Sequence, residues 1–433
     1  METLTRPVIA DAPAAPPARD PFEPEWCRSL ERTVLRPMNE VWFRTQLIGG
    51  ERIPKTGPVI LAANHSGNAF PYDGIALDAL LWQRDGMREE AKVRTVYEPE
   101  LSLVWWMRPF GIDDFWRRGG GVDMTFDNFD TLLGRGDRVL YFPEGVPGIG
   151  KGFNRRYRLR QFRTSFLLLS ARHKAPVVPI YIINAEWLHP FGYVVPLLDR
   201  LMQRVFHVPF LPIPLGLLAI VFPWIWYLAF PARLVLVVGE PIDIEGVLRA
   251  EGITCFDQPN RAALRRAAQR VRAQMQQALD GHVAHHGTRP YDVRLLVPAL
   301  WRARRALHRV VPLFWPATFL RHERDRHRPK ARNFVHAIAR DLDLAGFFLP
   351  FGWPLLSIAR AFRRPPYGYR GVSRAERARR QGTYLWRLAC SPLPDRAVDP
   401  EGSMRSFSDR DVEGEPSPER SGASSQRSAN QFR

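Results

Sequence analysis

Cysteine is almost missing from this chain of 433 residues. Cys27, Cys255 and Cys390 stand alone and far apart. That spacing excludes a disulfide framework and offers no zinc-ligand cluster. Lysine is also scarce. Of 62 Lys and Arg residues only Lys55, Lys92, Lys151, Lys174 and Lys330 are lysines, a bias that GC-rich coding explains. Acidic residues are too few to balance the rest, 44 against 62, which leaves a net charge of +18. The N-terminal residues lack a basic start followed by an apolar run, so no signal peptide is expected there. No internal repeat is present. What the chain has in plenty is proline, 39 residues, together with an ordinary globular balance of 45% hydrophobic and 24% charged residues. That balance excludes a wholly disordered or collagen-like chain. A surplus of positive charge fits two kinds of partner, nucleic acid or an anionic membrane surface.

Residues 1–25, rich in Ala, Pro and acid, read as a disordered leader. Over 26–48, Trp26, Leu30, Val34, Leu35, Met38, Val41 and Trp42 recur at helical spacing, which predicts an amphipathic helix broken near Pro37. Short β-rich runs follow at 58–63, 93–97, 138–142, 177–183 and 233–239. Helical stretches separate them at 74–84, 100–108, 123–134 and 163–173, and a helix with a clear apolar face closes the region at 261–280. Alternating strands and helices predict an α/β domain, and near-continuous apolar strands suit a sheet covered on both faces.

Residues 206–232 carry no formal charge and are long enough to cross a bilayer. They also contain Pro209, Pro212, Pro214, Pro223 and Pro231, each costly inside a helix. An irregular or re-entrant segment in the bilayer interface is therefore expected, with Trp224, Trp226 and Tyr227 at the headgroup level. A kinked span and a buried loop remain as alternatives. Residues 286–390 alternate apolar, Pro-interrupted runs with basic stretches such as 321–330, and their fold is not legible; a second membrane-contacting region is one reading. Residues 391–433 read as a disordered tail.

Chemistry concentrates in two places. After the first strand of the domain the chain runs Asn64-His65-Ser66-Gly67, then reaches Asp73 within the same short loop. A histidine at a strand's end lies where α/β sheets place ligands. Asp73 can accept a hydrogen bond from one ring nitrogen, leaving the other to take a proton from a hydroxyl. The strand at 138–142 ends in Phe142-Pro143-Glu144-Gly145, a carboxylate followed by a glycine that lets backbone approach a ligand.

Together these blocks, with Val178-Pro179-Ile180 in a later strand, resemble the lysophospholipid acyltransferase family, the phospholipid/glycerol acyltransferases that include the 1-acylglycerol-3-phosphate O-acyltransferases. Phe110-Gly111 and Arg117-Arg118 fall where that family has its acceptor-binding Gly/Arg block, and Gly239-Glu240-Pro241-Ile242 resembles its domain end. The resemblance implies an acyltransferase domain over 26–285. Its fold would be a mixed, largely parallel sheet flanked by helices, glycerol-3-phosphate acyltransferase-like. It implies His65 and Asp73 as the catalytic pair and Arg117, Arg118, Glu144 and Gly145 as acceptor-binding residues. Backbone amides of Ser66, Gly67 and Asn68, or of Gly145, would meet the oxyanion. Two features depart from the family pattern. Seven residues rather than four separate His65 from Asp73, with Asp78 as the fallback partner, and Val146-Pro147 replaces the Thr-Arg or Ser-Arg that usually follows Glu-Gly. Lys151, Arg155 and Arg156 are the candidates to replace the missing arginine.

The expected function is thus a membrane-associated O-acyltransferase. It would move a fatty acyl group from acyl-CoA or acyl carrier protein to a glycerolipid hydroxyl such as that of lysophosphatidic acid. No cofactor or metal is expected beyond the thioester co-substrate. Membrane lipids are the expected partners and nucleic acid is not; the expected place is the cytoplasmic face of the cell membrane, peripheral or re-entrant. One alternative keeps the chemistry with diacylglycerol or another lipid alcohol as acceptor. Another is a non-enzymatic basic protein binding membrane or nucleic acid, supported by the basic stretches at 321–332 and 374–380. Oligomeric state is left open.

Overall fold

The structure is a computed structural model that describes residues 22–67, 70–97, 115–195, 213–253, 260–326 and 328–362. The expected helix at 100–108, the Phe110-Gly111 pair, the basic stretch 374–380 and the tail at 391–433 lie outside the described residues, as do 206–212 and nearly all of the leader.

Nine strands are described: β1 Gln46–Ile48, β2 Val59–Ala63, β3 Arg94–Tyr97, β4 Val122–Asp123, β5 Arg138–Tyr141, β6 Val177–Ile183, β7 Gly192–Tyr193, β8 Ile213–Pro214 and β9 Val235–Val238. Seven of them form one sheet in the order β1-β9-β6-β2-β5-β3-β4, and β7 pairs with β8 separately. Every pair in the large sheet is parallel except β6 with β9. The mixed, largely parallel sheet expected from the sequence is present, and all five β-rich runs are strands of it.

Side chains alternate across a strand, so a strand with two buried faces must be apolar at every position. In β2, Val59, Leu61 and Ala63 enter one core and Ile60 and Ala62 the other. In β6, Val178, Ile180 and Ile182 face the first, while Val177, Tyr181 and Ile183 face the second. The second core is closed by helices Phe126–Gly134, Ser165–His173 and Arg261–His286. Asn260 caps the last of these by accepting from the backbone N–H of Ala262 and Ala263. Its buried stripe, Leu264, Ala268, Val271, Met275 and Leu279, is the one expected from the spacing.

The first core differs from expectation in three ways. The predicted helix over 26–48 is shorter: an α-helix at Pro24–Leu30 continues through wide π-type turns at Glu31–Leu35 and Met38–Trp42 and stops there. Pro37, which has no N–H to donate, separates the two turns. Arg44 then adopts a positive φ of 47°, and Gln46–Ile48 becomes β1 beside β9. Secondly, Trp226 and Tyr227 do not sit at a headgroup boundary. They are buried within the short turn Pro223–Tyr227, and the Tyr72 hydroxyl donates to the Tyr227 carbonyl at 2.8 Å. The prolines divide 213–232 into elements short enough for each to bury one side, although Leu217, Leu218 and Ile220 of helix Leu215–Val221 stay exposed. Among the described residues no helix is long and apolar enough to cross a membrane. Thirdly, residues 293–362 are a series of short helices whose Trp315, Leu320, Leu344, Phe347 and Leu356 enter the first core beside the strands.

Candidate active site

β2 and β5 are parallel neighbours, so their C-terminal ends emerge side by side and carry the two motif loops together. The Asn64 side chain pins the first loop. Its amide accepts from the Ile182 N–H at 2.6 Å and donates to the Ile182 carbonyl at 3.0 Å, which ties the end of β2 to β6. Asp73 is delivered by the first turn of helix Tyr72–Arg84 and is fully buried. Its Oδ2 lies 2.7 Å from His65 Nδ1 and accepts from the Ser66 N–H at 2.8 Å. A carboxylate oxygen can only accept, so Nδ1 carries the proton and Nε2 is left as the lone-pair nitrogen. Burial alone raises the Asp73 carboxyl. The His65 charge and hydrogen bond, with the Ser66 and Gly74 amides, more than offset that and hold it below the ordinary carboxylate range. Asp78, the fallback partner, is taken instead by Lys92 and by Thr95 Oγ1 at 3.0 Å. The imidazole stacks on Phe142 with ring centres 4.3 Å apart, and its side chain keeps 14% of its surface exposed.

Glu144 does something the sequence reading did not assign to it. It is 1% exposed, and both carboxylate oxygens accept backbone N–H groups: Oε1 from His65 at 3.0 Å and Oε2 from Arg160 at 2.6 Å. It therefore ties the second loop to the first and presents no free oxygen to an acceptor. Gly145 has φ 59°, a region open to glycine, and its N–H donates to the Phe142 carbonyl at 2.9 Å. The Gly145 and Ser66 amides are thus used inside the loops and are not available to an oxyanion. Gly67 N–H has no acceptor among the described residues. A side chain at Gly67 would come within 2.9 Å of the Phe70 carbonyl and 3.3 Å of Asp73 Oδ1.

The arginine pair divides. Arg118 is 4% exposed and locked in place: Nη1 lies 3.0 Å from Glu323 Oε2, Nε lies 3.1 Å from Glu23 Oε1, and the guanidinium covers the Trp26 ring at 4.1 Å. It joins the N-terminal helix to the C-terminal helices and does not contribute an acceptor site. Arg117 is half-buried and makes no ion pair among the described residues. Lys151 cannot replace the missing arginine either. It is fully buried, with Nζ 3.3 Å from Glu186 Oε1 in an ion pair. Burial opposes its charge, but Glu144, Glu186 and Asp73 all face it and keep it protonated. Arg155 and Arg156 are exposed beside it in sequence.

Two residues of the site were missed. Glu186 holds Lys151 and accepts the Tyr157 N–H at 2.9 Å. His189, fully buried, donates from Nδ1 to the Gly67 carbonyl and stacks on Tyr72. Burial pushes its imidazole down to about 4. Both follow β6, more than a hundred residues from the His65 loop, and no local pattern marks them. Beside the site, Phe70, Tyr72 and Tyr227 together with Leu30, Met38 and Trp315 line an almost wholly apolar cleft of about 600 Å³, solvent at its mouth included. No group of His, Cys, Asp and Glu among the described residues is arranged to hold a metal. Burial raises the Cys27 thiol to about 12, which removes it as a nucleophile.

The fold and these loops define an α/β protein with a histidine–carboxylate pair at the ends of parallel strands. Residues 44–183 match the family model described as Acyltransferase. Uncharacterized proteins of Mycobacterium bovis and Mycobacterium tuberculosis are 32% identical to it over 230 residues, 51% of this chain and 58% of theirs. One from Mycobacterium leprae is 30% identical over 51% of this chain and 57% of its own. The match thus spans less than two thirds of those relatives. The crystal structure of the 1-acyl-sn-glycerophosphate (LPA) acyltransferase PlsC from Thermotoga maritima aligns with a TM-score of 0.34 and 18% identity, over 58% of this chain and 79% of that one.

Proposed function

We propose that this protein is an O-acyltransferase that moves a fatty acyl group from a thioester donor, acyl-CoA or acyl carrier protein, to a glycerolipid hydroxyl such as that of lysophosphatidic acid. The observation that carries this reading is the 2.7 Å contact between His65 Nδ1 and a buried Asp73. With the proton held on Nδ1, Nε2 takes the acceptor hydroxyl's proton as the oxygen attacks the thioester carbonyl. Asp73 stabilises the imidazolium that forms, and collapse of the tetrahedral intermediate expels the thiolate, which recovers the proton from His65. Among the described residues, the Gly67 N–H is a loop amide free to meet the oxyanion. The apolar cleft lined by Phe70 and Tyr72, neighbours of Asp73, supports an acyl-chain substrate, because each buried CH₂ contributes about 0.8 kcal/mol. With Arg118 and Lys151 committed elsewhere, Arg117, Arg155 and Arg156 remain of the expected cations for an anionic headgroup.

The test is transfer of labelled acyl groups to a panel of lipid hydroxyls. His65→Ala is expected to lower kcat by about 10²–10⁴-fold, the usual worth of a positioned general base, with its melting temperature little changed. Unchanged transfer in that variant sinks the mechanism. A panel on which lysophosphatidic acid fails and diacylglycerol succeeds would change the acceptor but keep the chemistry.

A further inference from the structure

The charge surplus is not spread evenly. In the basic run 321–340, four arginines are held by carboxylates in the run or just beyond it, while Arg326 and Arg332 stay exposed. Arg321 meets Asp325 at 3.3 Å, Arg340 meets Asp325 at 2.6 Å, and Arg324 and Arg328 meet Asp343 and Asp341. The segment 293–309 is built differently. Between Asp292 and Glu323 the sequence has no acidic residue. Arg294, Arg302, Arg304, Arg305 and Arg309 are all exposed, and among the described residues none of them forms an ion pair.

The same segment exposes apolar surface. Helix Val293–Arg302 turns Leu296, Ala299, Leu300 and Ala303 inward at a spacing of three and four. That leaves Val293, Leu295 and Val297 46–59% exposed, and Trp301 69% exposed. Arg304 lies over the Trp301 ring at 4.8 Å and donates to the Trp301 carbonyl at 3.0 Å. A protruding tryptophan and aliphatic side chains, rimmed by unpaired arginines, are costly in water. They suit a surface that is apolar inside and anionic at its edge, where tryptophan sits at headgroup level and cations meet phosphate.

We infer that helix Val293–Arg302 and the arginines that follow it are the surface by which this protein docks on an anionic lipid bilayer. The 26–42 segment, an attractive docking helix by its sequence, cannot serve: Trp26, Leu30, Val34 and Met38 are all buried. The inference takes from the proposed function only that the acceptor resides in a bilayer, and it is tested without any acyl donor, so the two can fail separately.

The experiment is co-sedimentation of the full chain with phosphatidylcholine vesicles, with and without phosphatidylglycerol. Wild type is expected to bind the anionic vesicles, and less so as salt rises. At about 1 kcal/mol per surface arginine, R302E/R304E is expected to weaken partitioning at least about tenfold, and W301S several-fold, with melting temperatures unchanged. R261E/R265E, which removes as much charge from the helix on the opposite face of the sheet, is expected to bind nearly as wild type. Wild-type binding by R302E/R304E, equal losses in the control pair, or equal binding to neutral vesicles each overturns the inference. So does retention of the protein by duplex DNA and not by anionic vesicles.

Discussion

At the scale of single residues, the site is a set of buried charges, each held by backbone or by an opposite charge. Glu144 shows how tightly. Because both of its oxygens accept N–H groups, Glu144→Gln must turn an amide NH₂ toward one of those donors. Losing one buried hydrogen bond and opposing two donors is expected to cost about 1–3 kcal/mol and to lower kcat by displacing the His65 backbone. A melting curve and a kcat measured on the same preparation check this, and wild-type values for both would refute it. His189 gives a pH signature. Its folded value of about 4 lies below the ordinary 6.5, so the folded imidazole stays neutral while the unfolded chain takes up a proton as pH falls through about 6.5. Stability should therefore decline between about pH 6.5 and 4, by at most about 1.4 kcal/mol per pH unit. Asp73, held low, moves stability the same way but in a more acidic window. Urea melts at pH 7 and pH 5 measure the slope, and His189→Asn, which keeps a donor toward the Gly67 carbonyl, should flatten it.

At the scale of elements, the site depends on how closely one turn approaches a strand end. Helix Val146–Ile149 lies so near the His65 loop that a Cβ on Gly148 would stand 2.7 Å from Glu144 Cβ and 3.0 Å from His65 Cβ. Lys151 anchors the end of this turn to Glu186, beyond the end of β6. Lys151→Met leaves the Glu186 carboxylate buried with its cation gone, an arrangement that costs about 3–5 kcal/mol. The double variant Lys151→Met/Glu186→Leu removes both charges and should recover much of that loss. Thermal melts of the two singles and the double form the test, and strict additivity would show that the pair is not coupled. The positions of His65 and Glu144 after apolar strands were readable, because strand ends are marked by a change from β-branched residues to Gly and Pro. The roles of Glu144 and Lys151 were not, because a charged residue in a turn reads as solvent-facing until its neighbours are known.

At the scale of the whole molecule, three separated stretches of chain meet at Arg118. Glu23 comes from the N-terminal segment, Glu323 from the C-terminal helices, and Trp26 packs beneath the guanidinium while its indole N–H donates to Glu323 at 2.5 Å. Arg118→Ala strands a carboxylate in the core and is expected to destabilise by about 3–5 kcal/mol. If Arg118 is structural, the preference for a phosphorylated over an uncharged acceptor, measured as a ratio of kcat/KM, should not change in that variant. A selective loss of the phosphorylated acceptor would return Arg118 to the acceptor site. The same junction explains why the C-terminal helices belong to this core: Trp315 and Phe347 complete its packing beside Phe43 and Tyr72.

The sequence by itself determined the sheet, its five recognised strands and the pair His65–Asp73, because those depend on local periodicity and on a loop short enough to close on itself. It also determined the net charge. Only the tertiary structure decided which charges are free. Arg118, Lys151 and Arg324 each found a carboxylate far along the chain or beyond a turn, and burial made those pairings binding. Arg302 and Arg304 found none among the described residues and remain at the surface. Pairing of this kind is a property of distance in space, and a linear pattern of Arg and Glu does not encode it.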